Sequence, residues 1–385
     1  MTTRRRFLFV SLLCLASLSI AVPAGASTHG SEAGRRLQVA VDRLVARPDG
    51  PPGAIVVVQR GDRREIFRGG VANIASGALM QPWMHMRIAS TAKAYSGGVA
   101  LSLVDDGIMS LDDTVGEFLP WTNADWHEVT LAQALHHTSG IPDFTDSQDF
   151  VDAFIASPDV APWPRKLLSY VADRDLRFEP DSRYRYSNSD NIVVALMAVA
   201  ATGDPYVQLL RDLVFDPVGL RHTSLPRGAD MPTPFMHGYQ TGDGDELDDV
   251  SDAIAGGWAW ASGGIVSTPL DQSRFIRGYV GRGLFGASTQ DAQFDFVAGG
   301  SEPTGPGRNR AGLAIFRYRT RCGVVFGHTG NTFGFTQFFA ATRSGSRSVV
   351  VSVNRQITQT AQPPDLFRDL RSVFTRAVCS ALAPS

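Results

Sequence analysis

The hydrophobic pattern at the start of the chain predicts a helix followed by a β-hairpin. Leu37, Val41 and Leu44 recur at helical spacing and predict a helix over 32–46. A β-branched run over 54–59 and an apolar stretch over 64–68 flank a turn at 60–63. Because the first of these strands is apolar at successive positions, we expect it to be buried on both faces.

Helical patterns dominate the middle of the chain, and strand patterns dominate its last part. Helices are predicted over 90–106, 131–136, 163–173 and 191–201. Strands are predicted over 313–319, 323–326, 335–342 and 348–353, before a closing helix over 365–382. The predicted fold class is therefore α/β (α+β), with one antiparallel sheet flanked by the terminal helices. Residues 27–75 and 265–385 form its α/β sub-domain, and 76–264 form a mostly helical sub-domain, with the active site between them.

The first 26 residues predict an export signal that is not part of the fold. Three arginines at 4–6 precede an apolar stretch over 7–22, and Ala24-Gly25-Ala26 fits the rule for cleavage after small residues. We expect residues 27–385 to form a single catalytic domain. It is exported to the periplasm or secreted, with no stable membrane anchor after cleavage. Both Sec and twin-arginine export remain open.

Composition and motif content exclude several classes of function. The net charge of −2 gives no basic surface for nucleic acid. His136-His137 has no partner at metal-ligand spacing, so we expect a packed or surface pair and no metal. The sequence contains neither a Gly-x-x-x-x-Gly-Lys loop nor a Gly-x-Ser-x-Gly elbow. We predict no cofactor.

Ser90 and Lys93 are the first candidates for catalysis. A hydroxyl and an amine three residues apart lie on one face of a helix. In a desolvated cleft the lysine pKa falls, and the amine can then accept the serine proton. The chain has only one other lysine, Lys166. Taken alone, the pair is better explained as a serine helix cap followed by a surface lysine, because serine caps are common.

Two later segments supply the other groups that such a site needs. Tyr186 can pass a proton to a leaving group, and Asn188 can hold a substrate amide. The run His328-Thr329-Gly330 offers a donor near the substrate and a glycine that permits close approach to a strand edge. The backbone amides of Asn331 and Ser90 can hold an oxyanion. Each segment alone is also explained as an aromatic turn or the end of a strand.

Taken in order, these motifs resemble the serine β-lactamase and penicillin-binding-protein superfamily. The resemblance covers about 53–379 and lies on the branch of class C β-lactamases and secreted serine DD-carboxypeptidases. It includes further segments that match the family, at 135–142, 215–220 and 262–268.

The resemblance implies a role for each candidate residue. It makes Ser90 the acylated nucleophile, Lys93 its proton acceptor and Tyr186 the general acid and base. It assigns substrate binding to Asn188 and to the third motif, which are His328, Thr329, Gly330 and Asn331. His-Thr-Gly at the third motif favours a D-alanyl-D-alanine carboxypeptidase that binds penicillin. The implied substrates are a small peptide, a peptidoglycan stem peptide or a β-lactam. The alternatives are a β-lactamase or esterase on the same site, or a sensor that is only acylated.

Two cysteines remain after the signal is removed, Cys322 and Cys379. An even count in an exported chain favours a disulfide, with two buried thiols as the alternative. The family resemblance also implies this pair, because related carboxypeptidases have a Cys-Gly before His-Thr-Gly and a second cysteine on the last helix.

Three positions depart from the family pattern. Ala89 occupies a position where glycine is usual, and Asn191 one where an aromatic residue is common. Phe316 aligns with the arginine that is expected to hold the terminal carboxylate of a peptide. Arg317 is one residue away, and such an offset turns a strand side chain to the opposite face. The displaced arginine bears on carboxypeptidase specificity more than on acyl-enzyme chemistry.

Overall fold

The structure, a computed structural model, describes residues 31–242, 246–360 and 364–384. The predicted export signal over 1–26 lies outside the described residues. The helices longer than one 3₁₀ or π turn are α1 (Glu32–Val45), α2 (Ala92–Asp105), α3 (Val115–Phe118), α4 (Leu131–His136), α5 (Gln148–Ala156), α6 (Pro164–Ser169), α7 (Asn188–Thr202), α8 (Tyr206–Leu210), α9 (Pro269–Val280), α10 (Ala287–Gln293) and α11 (Pro364–Leu382).

The strands form one large sheet and two short pairs. They are β1 (Gly53–Arg60), β2 (Arg63–Gly70), β3 (Met86–Arg87), β4 (Tyr239–Thr241), β5 (Leu247–Asp249), β6 (Val266–Ser267), β7 (Arg308–Gly312), β8 (Ile315–Thr320), β9 (Gly323–Thr332), β10 (Phe335–Ala341) and β11 (Arg347–Val353). The large sheet has seven antiparallel strands in the order β2-β1-β11-β10-β9-β8-β7. This topology confirms the predicted fold class.

The sheet is buried on both faces, as the apolar run of β1 predicts. On one face Val56 and Val58 pack in a cluster with Leu37 of α1 and Phe374 of α11. On the other, Val57 joins the larger core formed by the helical part of the chain. Alternate residues of β1 thus serve opposite cores, because side chains of a strand alternate between faces.

Several element boundaries differ from the predicted ones. The strand predicted over 313–319 is wrong in extent, because a tight turn with Ala314 at a φ of 50° separates β7 from β8. The strand predicted over 323–326 continues to Thr332, so the third motif lies inside β9. Helix α7 begins at Asn188 and not at Asn191.

A disulfide joins Cys322, in the turn between β8 and β9, to Cys379 of α11. Their Cα atoms are 5.2 Å apart. Within the described residues, no individual helix has the length and apolar composition to cross a membrane. Helices 188–202 and 206–215, bent by 95°, meet that criterion only as a pair.

Candidate active site

Ser90 lies in a 3₁₀ turn, Ala89–Thr91, that leads directly into α2. The residue before it, Ala89, has a φ of 52°. This left-handed conformation is costly for any residue with a Cβ atom, which explains why glycine is usual at this position. The turn leaves Ser90 partly exposed at the wall of a cleft.

Lys93 is completely buried, one turn beyond Ser90. Its Nζ donates to Ser90 Oγ (3.2 Å), to Asn188 Oδ1 (2.8 Å) and to the carbonyl oxygen of Ser262 (2.7 Å). These three acceptors match the three donors of an ammonium group. The amine is therefore held beside the hydroxyl by groups from three separate segments.

Burial lowers the pKa of Lys93 from its usual value to about 7, because desolvation disfavours the charged amine. The carboxylates of Asp143, Asp190 and Glu302 oppose this fall without overcoming it. A substantial fraction of Lys93 is thus neutral at physiological pH. A neutral amine with a lone pair beside Ser90 can accept the hydroxyl proton.

Asn188 orients Lys93 from the first residue of α7. Its side-chain oxygen accepts from Lys93, and its Nδ2 donates to Asp143 Oδ2 (3.0 Å). The same carboxylate oxygen also accepts from the backbone N–H of Asn188 (2.8 Å), at the start of α7 where amides lack partners inside the helix. The amide predicted to hold substrate is therefore engaged in a chain from Asp143 to Lys93.

Tyr186 packs directly against the Lys93 amine, with Nζ 4.9 Å from the ring centroid. Its hydroxyl oxygen is buried and makes no hydrogen bond within 3.5 Å in the described part of the chain, but the Ser90 hydroxyl is near enough to act on it. Burial raises the pKa of Tyr186 well above its usual value, and the neighbouring Ser90 partly offsets this rise. The phenol is thus protonated at neutral pH and can donate its proton.

His137 packs against the Tyr186 ring and is itself held by Asp190. Neither contact was predicted from the sequence. The His137 ring lies 4.6 Å from the Tyr186 ring, and its Nδ1 is 2.8 Å from Asp190 Oδ2. Burial lowers the pKa of His137 to about 3 and raises that of Asp190 well above its usual value. Ser139 Oγ donates to the other oxygen of Asp190 (2.5 Å). The match of segment 135–142 to the family was the only signal in the sequence.

Strand β9 places Gly330 against the backbone of the turn that holds Ser90. A Cβ atom at this position would lie 2.7 Å from Ser90 N, 2.9 Å from Thr91 N and 3.0 Å from the Ile88 carbonyl oxygen. The glycine therefore admits the serine turn itself, and not only a substrate backbone as the sequence suggested. Asn331 follows in β9 and lines the same cleft as Ser90.

His328 and Thr329 are fully buried and do not line the cleft. Burial lowers the pKa of His328 to about 3, and its Nδ1 donates to the Thr329 carbonyl oxygen (2.5 Å). Phe316 packs edge-on against this ring, with centroids 4.9 Å apart. Arg317 points elsewhere and lies over the Phe296 ring. The position aligned with the expected arginine thus holds a buried phenylalanine that does not line the cleft.

The cleft has a volume of about 1060 Å³, and its lining is partly aromatic and partly charged. One wall is aromatic, where Phe154 lies 5.6 Å from Trp258 and 5.7 Å from Phe333 between ring centroids. Such a wall suits an apolar substrate group. The lining also includes the carboxylates of Asp143 and Glu302 and the guanidinium groups of Arg183 and Arg185.

The two neighbouring histidines, His136 and His137, contact different groups. His136 Nε2 is 3.0 Å from the Asp295 carbonyl oxygen, and His137 contacts Asp190. The two rings therefore serve different partners. Within the ranges that the structure describes, no cluster of three histidine, cysteine or acidic side chains could hold a metal ion.

Comparison with known proteins gives one consistent family. The Beta-lactamase family model matches residues 41–371. The D-alanyl-D-alanine-carboxypeptidase/endopeptidase AmpH of Escherichia coli is 25% identical over 74% of this chain and 72% of its own length. A D-aminopeptidase of Gluconobacter oxydans is 29% identical over 49% of this chain and 35% of its own length. A D-stereospecific amidohydrolase of Streptomyces superposes with a TM-score of 0.76 and 25% identity, over 88% of this chain and 98% of that one.

Proposed function

The chain belongs to the Beta-lactamase family, and from that premise we propose that it hydrolyses an amide bond beside a D-amino acid through an acyl-enzyme on Ser90. One observation carries the proposal most directly. The Lys93 amine, with its pKa lowered to about 7, lies 3.2 Å from the Ser90 hydroxyl. A lysine with a purely structural role requires neither a lowered pKa nor a position beside a serine hydroxyl.

Acylation begins when neutral Lys93 accepts the proton of Ser90. The Ser90 oxygen then forms a bond to the substrate carbonyl carbon, and the carbonyl oxygen becomes an oxyanion. The backbone N–H groups of Ser90 and Asn331 donate hydrogen bonds to this oxyanion and so stabilise the negative charge that develops on it.

Tyr186 completes the step by donating its proton to the leaving nitrogen as the carbon–nitrogen bond breaks. Its raised pKa suits this role, because the proton must be present at neutral pH. Water then attacks the ester carbon and returns a proton to Tyr186, and the Lys93 proton returns to Ser90. The net reaction adds one water across the amide bond.

Two substrate types fit this chemistry. The His-Thr-Gly motif favours a D-alanyl-D-alanine peptide, as the name of the AmpH relative also suggests. A second candidate is an N-terminal D-amino acid that is released from a peptide or amide. It is favoured because Phe316 stands where a carboxylate-binding arginine was expected. The D-aminopeptidase and D-stereospecific amidohydrolase relatives are consistent with it.

The acyl-enzyme is tested with a fluorescent penicillin. Wild-type protein is expected to become covalently labelled, and Ser90→Ala to remain unlabelled. Labelling that persists in Ser90→Ala would remove the basis of the proposal.

The substrate is tested with a panel of a D-alanyl-D-alanine peptide, nitrocefin, a nitrophenyl ester and a D-amino acid amide. We expect turnover of the peptide or the amide. Fast nitrocefin hydrolysis without amide turnover would indicate a β-lactamase, and ester turnover alone an esterase. Labelling without any turnover would indicate a sensor.

A further inference from the structure

Glu302 lies on a loop that is hydrogen bonded to β9 and to the segment just before Tyr186. Thr329 Oγ1 donates to the Pro303 carbonyl oxygen (2.6 Å), immediately after Glu302. Tyr184 Oη donates to the Gly300 carbonyl oxygen (2.6 Å), two residues before it. Both hydrogen bonds fix the loop, so the position of Glu302 relative to the cleft is defined.

The Glu302 carboxylate is exposed at the cleft and makes no hydrogen bond or direct ion pair in the described ranges, although the charges of Lys93 and Arg185 act on it from a distance. Its acidic neighbours differ in this respect. Asp143 binds Asn188, and Asp146 pairs with Arg177 at 2.8 Å. A charged group without a partner in a binding cleft is a candidate for contact with a ligand of opposite charge.

The field of Glu302 reaches the catalytic groups. Its charge acts on Lys93 and on Tyr186, opposing the fall of the lysine pKa and adding to the rise of the tyrosine pKa. Partial desolvation, and then the charge of Asp143, raise the pKa of Glu302 itself above its usual value, while Lys93 and Arg185 partly offset this rise and Asp146 adds to it. Glu302 and Ser90 line the same cleft, so a substrate bound to Ser90 lies within the field of this carboxylate.

The negative charge of Glu302 favours a substrate with a positively charged group near the acyl carbonyl over one with a carboxylate there. A carboxylate on the substrate would be repelled by Glu302 and by Asp143. The cleft lining also contains Arg183 and Arg185, of which Arg185 is already paired with Asp146 at 3.5 Å. A free α-amino group is protonated at neutral pH, since its usual pKa is about 8. It is also only one carbon from the acyl carbonyl, so an amino-terminal residue that acylates Ser90 carries its positive charge into this region.

We propose that Glu302 binds the free α-ammonium group of the residue that acylates Ser90, which makes an unblocked amino-terminal D-amino acid the preferred acyl group. The proposal rests on the acyl-enzyme function given above. It selects the release of an amino-terminal residue over carboxypeptidase action.

The test compares D-alanine p-nitroanilide with its N-acetyl derivative. Wild type is expected to have the higher kcat/KM for the free amine. Glu302→Gln, which keeps the shape and removes the charge, should lower that value about 10-fold to 100-fold, the usual loss for a charge-assisted hydrogen bond. Its kcat/KM for the N-acetyl substrate should change by less than about threefold, since no charged pair is lost. Equal losses on both substrates, or a wild-type preference for the N-acetyl substrate, would overturn the ammonium site.

A pH profile gives a second measurement. Wild-type kcat/KM for the free amine should fall above about pH 8, as the ammonium group loses its proton. Glu302→Gln should lose this dependence, and the N-acetyl substrate should lack it in both proteins. A fall above pH 8 that persists in Glu302→Gln contradicts the site.

Asp146→Asn serves as the matched control, because it removes a cleft carboxylate that already has arginine partners. It should leave the preference for the free amine intact, and loss of that preference in this variant alone would overturn the role of Glu302. If penicillin labels wild type at Ser90 but neither anilide is cleaved, the ammonium site is overturned and the acyl-enzyme proposal is not. Absence of the label overturns the proposed function itself.

Discussion

At the scale of single residues, the properties of Lys93 follow from where its amine is buried. Its three acceptors come from Ser90, from Asn188 and from the Ser262 backbone, and together they replace the water that an ammonium group requires. The amine is thus satisfied without a directly bound carboxylate. Desolvation can then lower its pKa, which an ion pair would have raised.

The pH dependence of acylation should report this pKa. Because only neutral Lys93 accepts a proton, kcat/KM for the N-acetyl substrate should fall about tenfold per pH unit below about pH 7 and level off above it. Lys93→Arg should lose about 10²-fold to 10⁴-fold in activity, since arginine stays protonated. The control is Lys166→Arg, at the only other lysine, where activity should not change. A profile without an acidic limb near pH 7 argues against Lys93 as the proton acceptor.

His137 should act by positioning Tyr186. His137→Ala removes the ring that lies 4.6 Å from the tyrosine and leaves the buried Asp190 carboxyl with Ser139 as its remaining hydrogen-bond partner of the two described above. We expect kcat to fall by up to about 100-fold with little change in KM, because small displacements of a catalytic group are costly. Steady-state kinetics of His136→Ala give the control, since that ring bonds the Asp295 carbonyl oxygen instead. Equal effects of the two substitutions would assign His137 a purely structural role.

The motifs in the sequence predicted part of the site but not its support. Ser90, Lys93, Tyr186 and Asn188 come together as their order and spacing suggested. His137 could not be predicted to contact Tyr186, because the two residues are 49 positions apart in the numbering and meet only through tertiary packing. The cleft position of Glu302 likewise depends on a loop that hydrogen bonds to β9.

At the scale of elements, the site depends on close contact between β9 and the turn before α2. Gly330 sets the spacing of these two elements, because its neighbours are backbone atoms of Ser90, Thr91 and Ile88 that cannot rotate away. The strand therefore aligns Asn331 with the serine turn. The sequence predicted the strand but ended it at 326, since the small and polar residues of the third motif interrupt the apolar pattern.

Gly330→Ala tests this contact. A Cβ atom 2.7 Å from Ser90 N would force the turn away from β9, so we expect kcat/KM to fall by about 100-fold. Gly228→Ala is the matched control, because a Cβ atom there meets nothing within 4 Å. Kinetics and circular dichroism of both variants separate loss of alignment from loss of folding. Full activity of Gly330→Ala would show that the contact is not needed.

At the scale of the whole molecule, residues from both ends of the chain form one sheet. β1 pairs with β11, which places residues near 54 beside residues near 353. The terminal helices α1 and α11 cover one face together, and Arg47 reinforces them by binding Asp365 and Asp369 of α11. Hydrophobic periodicity predicted this architecture, because long strands and amphipathic helices are the strongest signals in a sequence.

The disulfide should stabilise this arrangement without taking part in catalysis. Its cysteines are 57 residues apart, so removing the link enlarges the freedom of the unfolded chain. The double variant Cys322→Ser, Cys379→Ser should lower the free energy of unfolding by about 4 kcal/mol. Denaturant titration measures this change, and penicillin labelling should be unaltered. An unchanged free energy of unfolding would mean that the bond constrains nothing in the unfolded state.

The central claim is a covalent acyl-enzyme on Ser90, and peptide mapping by mass spectrometry tests it most directly. After incubation with penicillin and rapid acid quenching, the account predicts one modified peptide, with the acyl group on Ser90. The modification should be absent from Ser90→Ala. An acyl group on any other residue, or an unmodified wild-type protein, would contradict the account.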